Sequence, residues 1–447
     1  MQNMTLTELL AQKEFSCICG KTHSANLREA VLERGAIRRL PKLLQKYGVR
    51  RPFLLSGHDT FAAAGQQVCE VLKQAGIAYE CYVYPHSPVP PTEQTVGSAV
   101  MHFSQECDAV IGIGSGVIND TGKLLAALTG RFYLIVATAP SMDGYASASS
   151  SMERDGLKVS LVSKCPDVIV GDLDILCRAP ARMLAAGVGD MITKYVSLAE
   201  WKLARLLVDE DYCPFVAELV QTALDRVISA ADGLIRRDED AVKAVTEGLI
   251  IAGLAMKYAG SSRPASGMEH YFSHIWDMRS LAFPEAKADL HGIQAGIGTL
   301  LSLRVYDLVR TLTPDREKAL AFVAAFDPED WNRRLRAFVG PGAEAMIAGE
   351  NREHKYGTEK HAARLERILT NWDGILNIVS ELPSYDSLRS LMERLGAPTD
   401  ASSFGYTPEQ VSVTFTMTKD IRDKYIGSRL LWDLGELETA AETLRNR

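Results

Sequence analysis

Short apolar runs alternate with amphipathic stretches in the first part of the chain. Pro52–Ser56 (PFLLS) predicts a strand, and helical spacing follows from Thr60 through Ala75. Tyr79–Tyr84 predicts a second strand, and a proline-rich turn then leads into a helix over Glu93–Gln105. Ala109–Ile113 and Phe132–Ala137 read as two more strands, the first running into glycines and the second ending at Thr138. Strands separated by helices of this length are βαβ units and imply a parallel sheet. Beyond Asp174 the period becomes helical, with helices expected near 184–208, 214–236, 239–259, 292–311 and 362–380. The expected organisation is an α/β N-terminal domain with a Rossmann-like parallel sheet, residues 1–178, and an all-helical C-terminal domain, residues 179–447. A cleft between two such domains is a preferred place for a ligand.

Composition narrows the function classes. Apolar residues make up 47% and charged residues 23%, which is globular rather than disordered. Lys and Arg number 49 against 56 Asp and Glu, a net charge of −7 that argues against nucleic acid or an anionic membrane as main partner. A local basic pocket for a small anion is compatible with it. MQNMTLTELLAQKEF has no basic stretch leading into an apolar core, so no signal peptide is expected. No apolar run is long enough to span a bilayer; the nearest, Leu249–Met256, stops at Lys257. Eight cysteines spread thinly do not make a secreted disulfide framework, and a cytoplasmic location is expected.

Asp108–Lys123 (DAVIGIGSGVINDTGK) combines a buried-strand run, alternating glycines at 112, 114 and 116, and a helix start. Glycines let backbone N–H groups approach a diphosphate, and a helix N-terminus favours an anion. The spacing is G-x-G-x-G rather than the dinucleotide fingerprint G-x-G-x-x-G, so a plain strand-to-helix turn stays open. Lys123 in the first turns opposes the helix dipole unless an anion or Asp120 offsets it. Val136–Met152 breaks from a strand into a serine-rich loop with one carboxylate, Asp143. It follows a strand's C-terminal end, where α/β proteins place ligands.

Three later segments hold the residue types a divalent cation needs: Asp190, the pair His270 and His274, and His291. His270 and His274 are i and i+4, hence on one face of a helix. Three of the chain's nine histidines fall between 270 and 291. Two imidazoles and a carboxylate form a catalytic metal set with coordination left open to substrate, although each histidine alone reads more readily as a core or capping residue. Cys17-x-Cys19-Gly-x-x-His23 has a metal-knuckle look but lacks a second pair at finger spacing, and is read as a turn with thiols.

Together these motifs resemble the iron-containing alcohol dehydrogenase and dehydroquinate synthase superfamily. Within it they are most similar to the sn-glycerol-1-phosphate dehydrogenases, over nearly the whole chain from Phe15 to Leu437. The resemblance implies a dehydroquinate synthase-like fold. It places the cofactor turn on Gly114, Ser115, Gly116, Val117 and Ile118, with Asp120 and Lys123, and the cofactor loop on Thr138, Ser141 and Ser147. It implies Asp190, His270 and His291 as metal ligands. Asp143, Asp190, His274 and Arg263 would meet substrate, with Asp190 and His274 catalytic. Dehydroquinate synthases carry Glu at the Asp190 position. Iron alcohol dehydrogenases carry a fourth ligand, His, where Lys194 stands here.

The implied activity is reversible reduction of dihydroxyacetone phosphate to sn-glycerol 1-phosphate with NAD or NADP and one divalent metal, zinc or nickel; a homo-oligomer, by default a homodimer, is the general expectation for a soluble enzyme. Arg263, Lys194 and Lys355 are cationic candidates for the phosphate, with Lys355 read as an ion-paired surface residue. Two departures stand out. Gly57-His58-Asp59-Thr60 displaces the family's adenosine-side aspartate, which leaves NAD versus NADP open. Ser115 replaces the middle glycine of the turn. A polyol dehydrogenase is the neighbouring alternative, followed by a lyase-type synthase and a non-catalytic binding protein.

Overall fold

The computed structural model describes residues 4–155 and 157–445. Two short strands, β1 (Glu14–Ser16) and β2 (Thr22–Ser24), form an antiparallel hairpin ahead of the main sheet. That sheet contains β3 (Glu29–Glu33), β4 (Pro52–Gly57), β5 (Glu80–Tyr84), β6 (Ala109–Gly114) and β7 (Phe132–Ala137). After β8 (Ser149–Arg154) and β9 (Leu157–Val162), which make a separate two-stranded sheet, β10 (Val168–Asp172) joins it. The order is β3–β10–β7–β6–β4–β5, with every neighbouring pair parallel.

Helices alternate with the strands, among them α1 (Gln66–Gln74), α2 (Glu93–His102) and α3 (Gly116–Thr129). The central strands are buried along their whole length. This is why they read as continuous apolar runs rather than alternating ones. One core cluster joins Leu54, Ile111, Ile113, Leu134, Val136 and Val170 from four strands to Val68 and Leu72 of α1. From β4 the chain steps outward to β5; from β6 it steps the other way to β7. The C-terminal ends of β4 and β6 therefore flank a topological switch point, where open α/β sheets bind ligands.

The long helices follow: α4 (Ala181–Val208), α5 (Pro214–Ala230), α6 (Glu239–Ala259), α7 (Met268–Ala282) and α8 (His291–Thr311). The expected helix at 362–380 is two, Thr358–Thr370 and Trp372–Ser380, broken at Asn371. None of the described helices is long and apolar enough to cross a membrane.

The chain packs as two compact units. The first comprises residues 4–155, 159–191 and 214–261; the second comprises 157–158, 192–213 and 262–445. The expected boundary at 178/179 follows the change from sheet to helix. Compactness divides the chain differently, because α5 and α6 pack on each other and α6 packs on the 143–146 turn beyond β7. Those helices thus belong with the sheet.

Candidate active site

In the first unit, β6 delivers the chain to Ser115, and α3 begins at Gly116. The three alternating glycines have different causes. A Cβ on Gly112 would lie 2.6 Å from the Tyr133 hydroxyl, and one on Gly114 would lie 2.6 Å from Cβ of Ile118. Packing alone demands those two. At Gly116 the nearest atom is Cγ of Met142, at an ordinary 3.6 Å, so the interior does not require a bare backbone there. Ser115 makes no side-chain cap to the helix. The first amides of α3 thus stand at the switch point without a side-chain cap from Ser115. This is the arrangement an anionic diphosphate needs.

Lys123 is fully buried one turn further on and makes an ion pair with Asp120 at 2.8 Å. The same Nζ donates to Gly144 O (3.1 Å), Ser147 Oγ (3.0 Å) and Ser149 O (2.5 Å). Asp120 also accepts from Ser151 N at 3.0 Å. Lys123, Asp120 and Ser147 thereby fix the serine-rich loop, and Asp120 supplies the offset that a cation in this helix requires. Asn119 adds a bond from Nδ2 to Gly144 O at 3.1 Å. Thr138 N donates to Gly114 O at 3.1 Å and ties the loop's start to the glycine turn. Thr138, Ser141 and Asp143 are all buried. Asp143 N donates to Asp190 Oδ2 at 2.8 Å, so the loop's backbone orients that carboxylate. Asp190 is itself wholly buried on α4.

In the second unit, α7 carries His270 and His274 on one face, and α8 opens with His291. The His270 and His291 rings are 5.0 Å apart, and each offers a ring nitrogen within 4.8 Å of the other's. His270 Nδ1 pairs with Glu269 Oε1 at 2.9 Å. His291 Nδ1 pairs with Ser273 Oγ at 3.3 Å. Both rings are thus oriented through Nδ1, as metal-binding histidines commonly are. His274 is half-buried, its ring 6.5 Å from that of His270. Burial first, then the charges of Arg422 and Lys158, push its pKa well below the usual histidine range. It is neutral at pH 7.

Beneath these rings lie two buried carboxylates. Glu200 accepts from Met268 N (2.8 Å), Gly427 N (2.8 Å) and the Tyr306 hydroxyl (2.7 Å). Glu269 accepts from Gly267 N at 2.6 Å. Burial raises the pKa of both, and the neighbouring Glu269 charge raises Glu200 further. Lys194, also buried, donates to Thr193 Oγ1 at 3.1 Å and to Ala265 O at 3.4 Å. Ser197, one turn later on the same face of α4, donates to Pro264 O at 3.2 Å. Lys194 and Ser197, on one face of α4, thus organise the segment leading into α7.

The phosphate candidates fare differently. Arg263 is almost wholly buried. Its Nε donates to Glu210 Oε1 at 2.6 Å, one Nη donates to the other Glu210 oxygen, and the second Nη donates to Tyr425 O at 2.9 Å. Its guanidinium is committed to that architecture, which replaces the expected contact with a substrate phosphate. Lys355 stands 3.8 Å from Glu350 and 3.7 Å from Asp420, an ion-paired residue as expected. The cations whose charge acts on His274 are instead Arg422 and Lys158. Arg422 is exposed, and Lys158 pairs with Asp277. Sequence reasoning passed over both, and over Glu269. Arg422 sits in the quoted run IRDKYIGSRLLWDLGEL, and Glu269 adjoins His270; those positions were the only signals.

Comparison with known proteins identifies the family. Residues 31–180 match the family model described as iron-containing alcohol dehydrogenase. The NAD(P)+ glycerol-1-phosphate dehydrogenase of Halalkalibacterium halodurans is 35% identical over 344 residues, covering 72% of this chain and 86% of its own. The Bacillus subtilis enzyme of the same name is 31% identical, covering 74% and 86%. Among solved structures, glycerol dehydrogenase from Schizosaccharomyces pombe aligns with a TM-score of 0.59 at 15% identity, over 94% of this chain and 91% of that one. This last likeness speaks for the fold alone. The chain belongs to the glycerol-1-phosphate dehydrogenase family, within the iron-containing alcohol dehydrogenases.

Proposed function

We propose that this protein reversibly reduces dihydroxyacetone phosphate to sn-glycerol 1-phosphate with NADH or NADPH, using one divalent cation, zinc or nickel, held by Asp190, His270 and His291. The observation that carries the reading is the His270–His291 pair, each ring oriented through Nδ1 by Glu269 or Ser273. Asp190, the third donor of the set, is oriented by Asp143 N. A carboxylate and two imidazoles suit a hydrolytically stable cation with open positions.

When bound, the cation supplies Lewis acidity toward the substrate's C1 and C2 oxygens, and the nicotinamide supplies hydride. The chain's own residues do the rest. The amides of Ser115–Ile118 bind the cofactor diphosphate, and the Thr138–Ser141 stretch, anchored by Lys123 and Asp120 through the loop beyond it, lines the nicotinamide side. Asp143 orients Asp190 and takes a substrate hydroxyl. Arg422 and Lys158 offer positive charge to the substrate phosphate. His274, neutral at working pH, orients the substrate and relays a proton to the C2 oxygen. The thinly spread cysteines keep the cytoplasm as the compartment we assign.

The test is oxidation of NADH and of NADPH with dihydroxyacetone phosphate and with dihydroxyacetone, after metal removal and re-addition of zinc or nickel. Turnover that returns with metal and requires the phosphate supports the reading. Turnover of the unphosphorylated ketone alone makes the protein a polyol dehydrogenase. His274→Ala is expected to lower kcat by about 10²- to 10³-fold with metal content unchanged. Loss of metal in that variant would show His274 to be a ligand instead.

A further inference from the structure

The N-terminal hairpin carries a donor cluster that the reaction does not use. Between β1 and β2, Cys17 N donates to Lys21 O (2.9 Å) and Gly20 N donates to Cys17 O (3.0 Å). Gly20 takes a left-handed φ of 81°, which closes the turn tightly. The turn brings the thiols of Cys17 and Cys19 and a ring nitrogen of His23 within 4.8 Å of one another. Cys19 Sγ lies 3.4 Å from His23 Nε2. His23 is 2% exposed, and its Nδ1 donates to Tyr258 O at 3.0 Å. That bond orients the ring with Nε2 toward the Cys19 thiol, as an outer hydrogen bond orients a metal-binding histidine.

A fourth donor arrives from far along the sequence. Cys213 is buried and directly precedes Pro214, the first residue of α5. Two residues on, the Phe215 ring lies 6.3 Å from that of His23 and 5.1 Å from that of Phe15. Cys213 thus completes a donor set of three thiols and one imidazole. We propose that Cys17, Cys19, His23 and Cys213 bind a zinc ion that staples the hairpin to the α5 and α6 helices.

Three cysteines and one histidine are a closed structural set for zinc, with no position left for substrate. Binding displaces the three thiol protons, and the thiolates outweigh the ion's two positive charges by one. The need is physical. Strands of three residues each cannot hold a hairpin alone. A small aromatic cluster also packs on it, with Phe15 5.7 Å and His23 5.5 Å from Tyr258. A cysteine–histidine nucleophile is the competing reading. The second thiol on the same turn and the burial of the ring away from solvent argue against it.

The catalytic donors contain no sulfur, so cobalt spectroscopy separates the two sites whether or not the catalytic reading survives. Full-length protein loaded with cobalt(II) is expected to show a strong near-ultraviolet thiolate-to-cobalt band. That band should vanish in a Cys17→Ser/Cys19→Ser double variant. No such band in the wild type, or an undiminished band in the double variant, overturns the proposal. Wild-type protein alone gives a second readout should the variant fail to fold. Cys17 and Cys19 are expected to resist maleimide in zinc-replete protein and to react together at least about tenfold faster once zinc is chelated. Equal labelling in both conditions, or a disulfide between any two of the three cysteines in zinc-replete protein, overturns it as well.

Discussion

Alanine at His270 is expected to empty the catalytic metal site and lower kcat/KM by about four orders of magnitude. Removing the imidazole takes one of three donors from a site with few to spare, and it leaves Glu269 Oε1 with Gly267 N alone of its two partners. Glu269 is wholly buried, and burial already raises its pKa. Without the ring it has stronger reason to hold a proton, which further weakens the pull on a cation. Lewis-acid stabilisation contributes several kcal/mol to such a reaction, and each 1.36 kcal/mol is a factor of ten. The glycine turn and its loop lie wholly in the first unit and keep their contacts in the variant. Binding of NADH, followed by quenching of protein fluorescence, should therefore stay within about threefold of wild type. A variant that retained both metal and turnover would return His270 to the role of a core histidine.

What was legible in the sequence follows from which forces act locally. Strands β4 to β7 show in the apolar runs because a parallel sheet covered on both faces excludes polar residues over the whole run. Strands β3 and β10 were missed. Each has five residues, and β10 follows the β8–β9 pair rather than a helix, so the βαβ rhythm that revealed the others is absent there. The helix expected at Thr60–Ala75 contains a π segment, Phe61–Gly65, whose wider turn leaves no trace in apolar spacing. At the site, ligand types and motif order were visible, because chemistry restricts them to few residues. Ion pairing was not. Arg263 and Arg422 are alike as letters, and only the tertiary position of Glu210 buries one while the other stays exposed. Cys213 lies far down the chain from Cys17 and Cys19, so no spacing rule could have joined them.

Alanine at Gly298 is expected to destabilise the second unit even though the same change stabilises most helices. In an ordinary helix interior, glycine to alanine gains roughly 0.5–1 kcal/mol. Gly298 lies on α8, wholly buried, where that helix crosses α7. A Cβ there would stand 2.2 Å from Glu269 O, 3.0 Å from its carbonyl carbon and 3.2 Å from its Cα. All three are backbone atoms, so no rotamer change can relieve the clash. The helices must separate, and overpacking of this kind costs about 1–3 kcal/mol or more. Separation acts on the site as well, because Glu269 immediately precedes His270 on α7 and His291 opens α8. Metal affinity should fall about 10-fold or more alongside a drop in Tm of several degrees, about 3–8 °C. Thermal melts with and without metal, and a metal titration, read both effects. An unchanged or raised Tm would mean that α7 and α8 can yield without loss, and that their close approach does not set the distance between the two histidines.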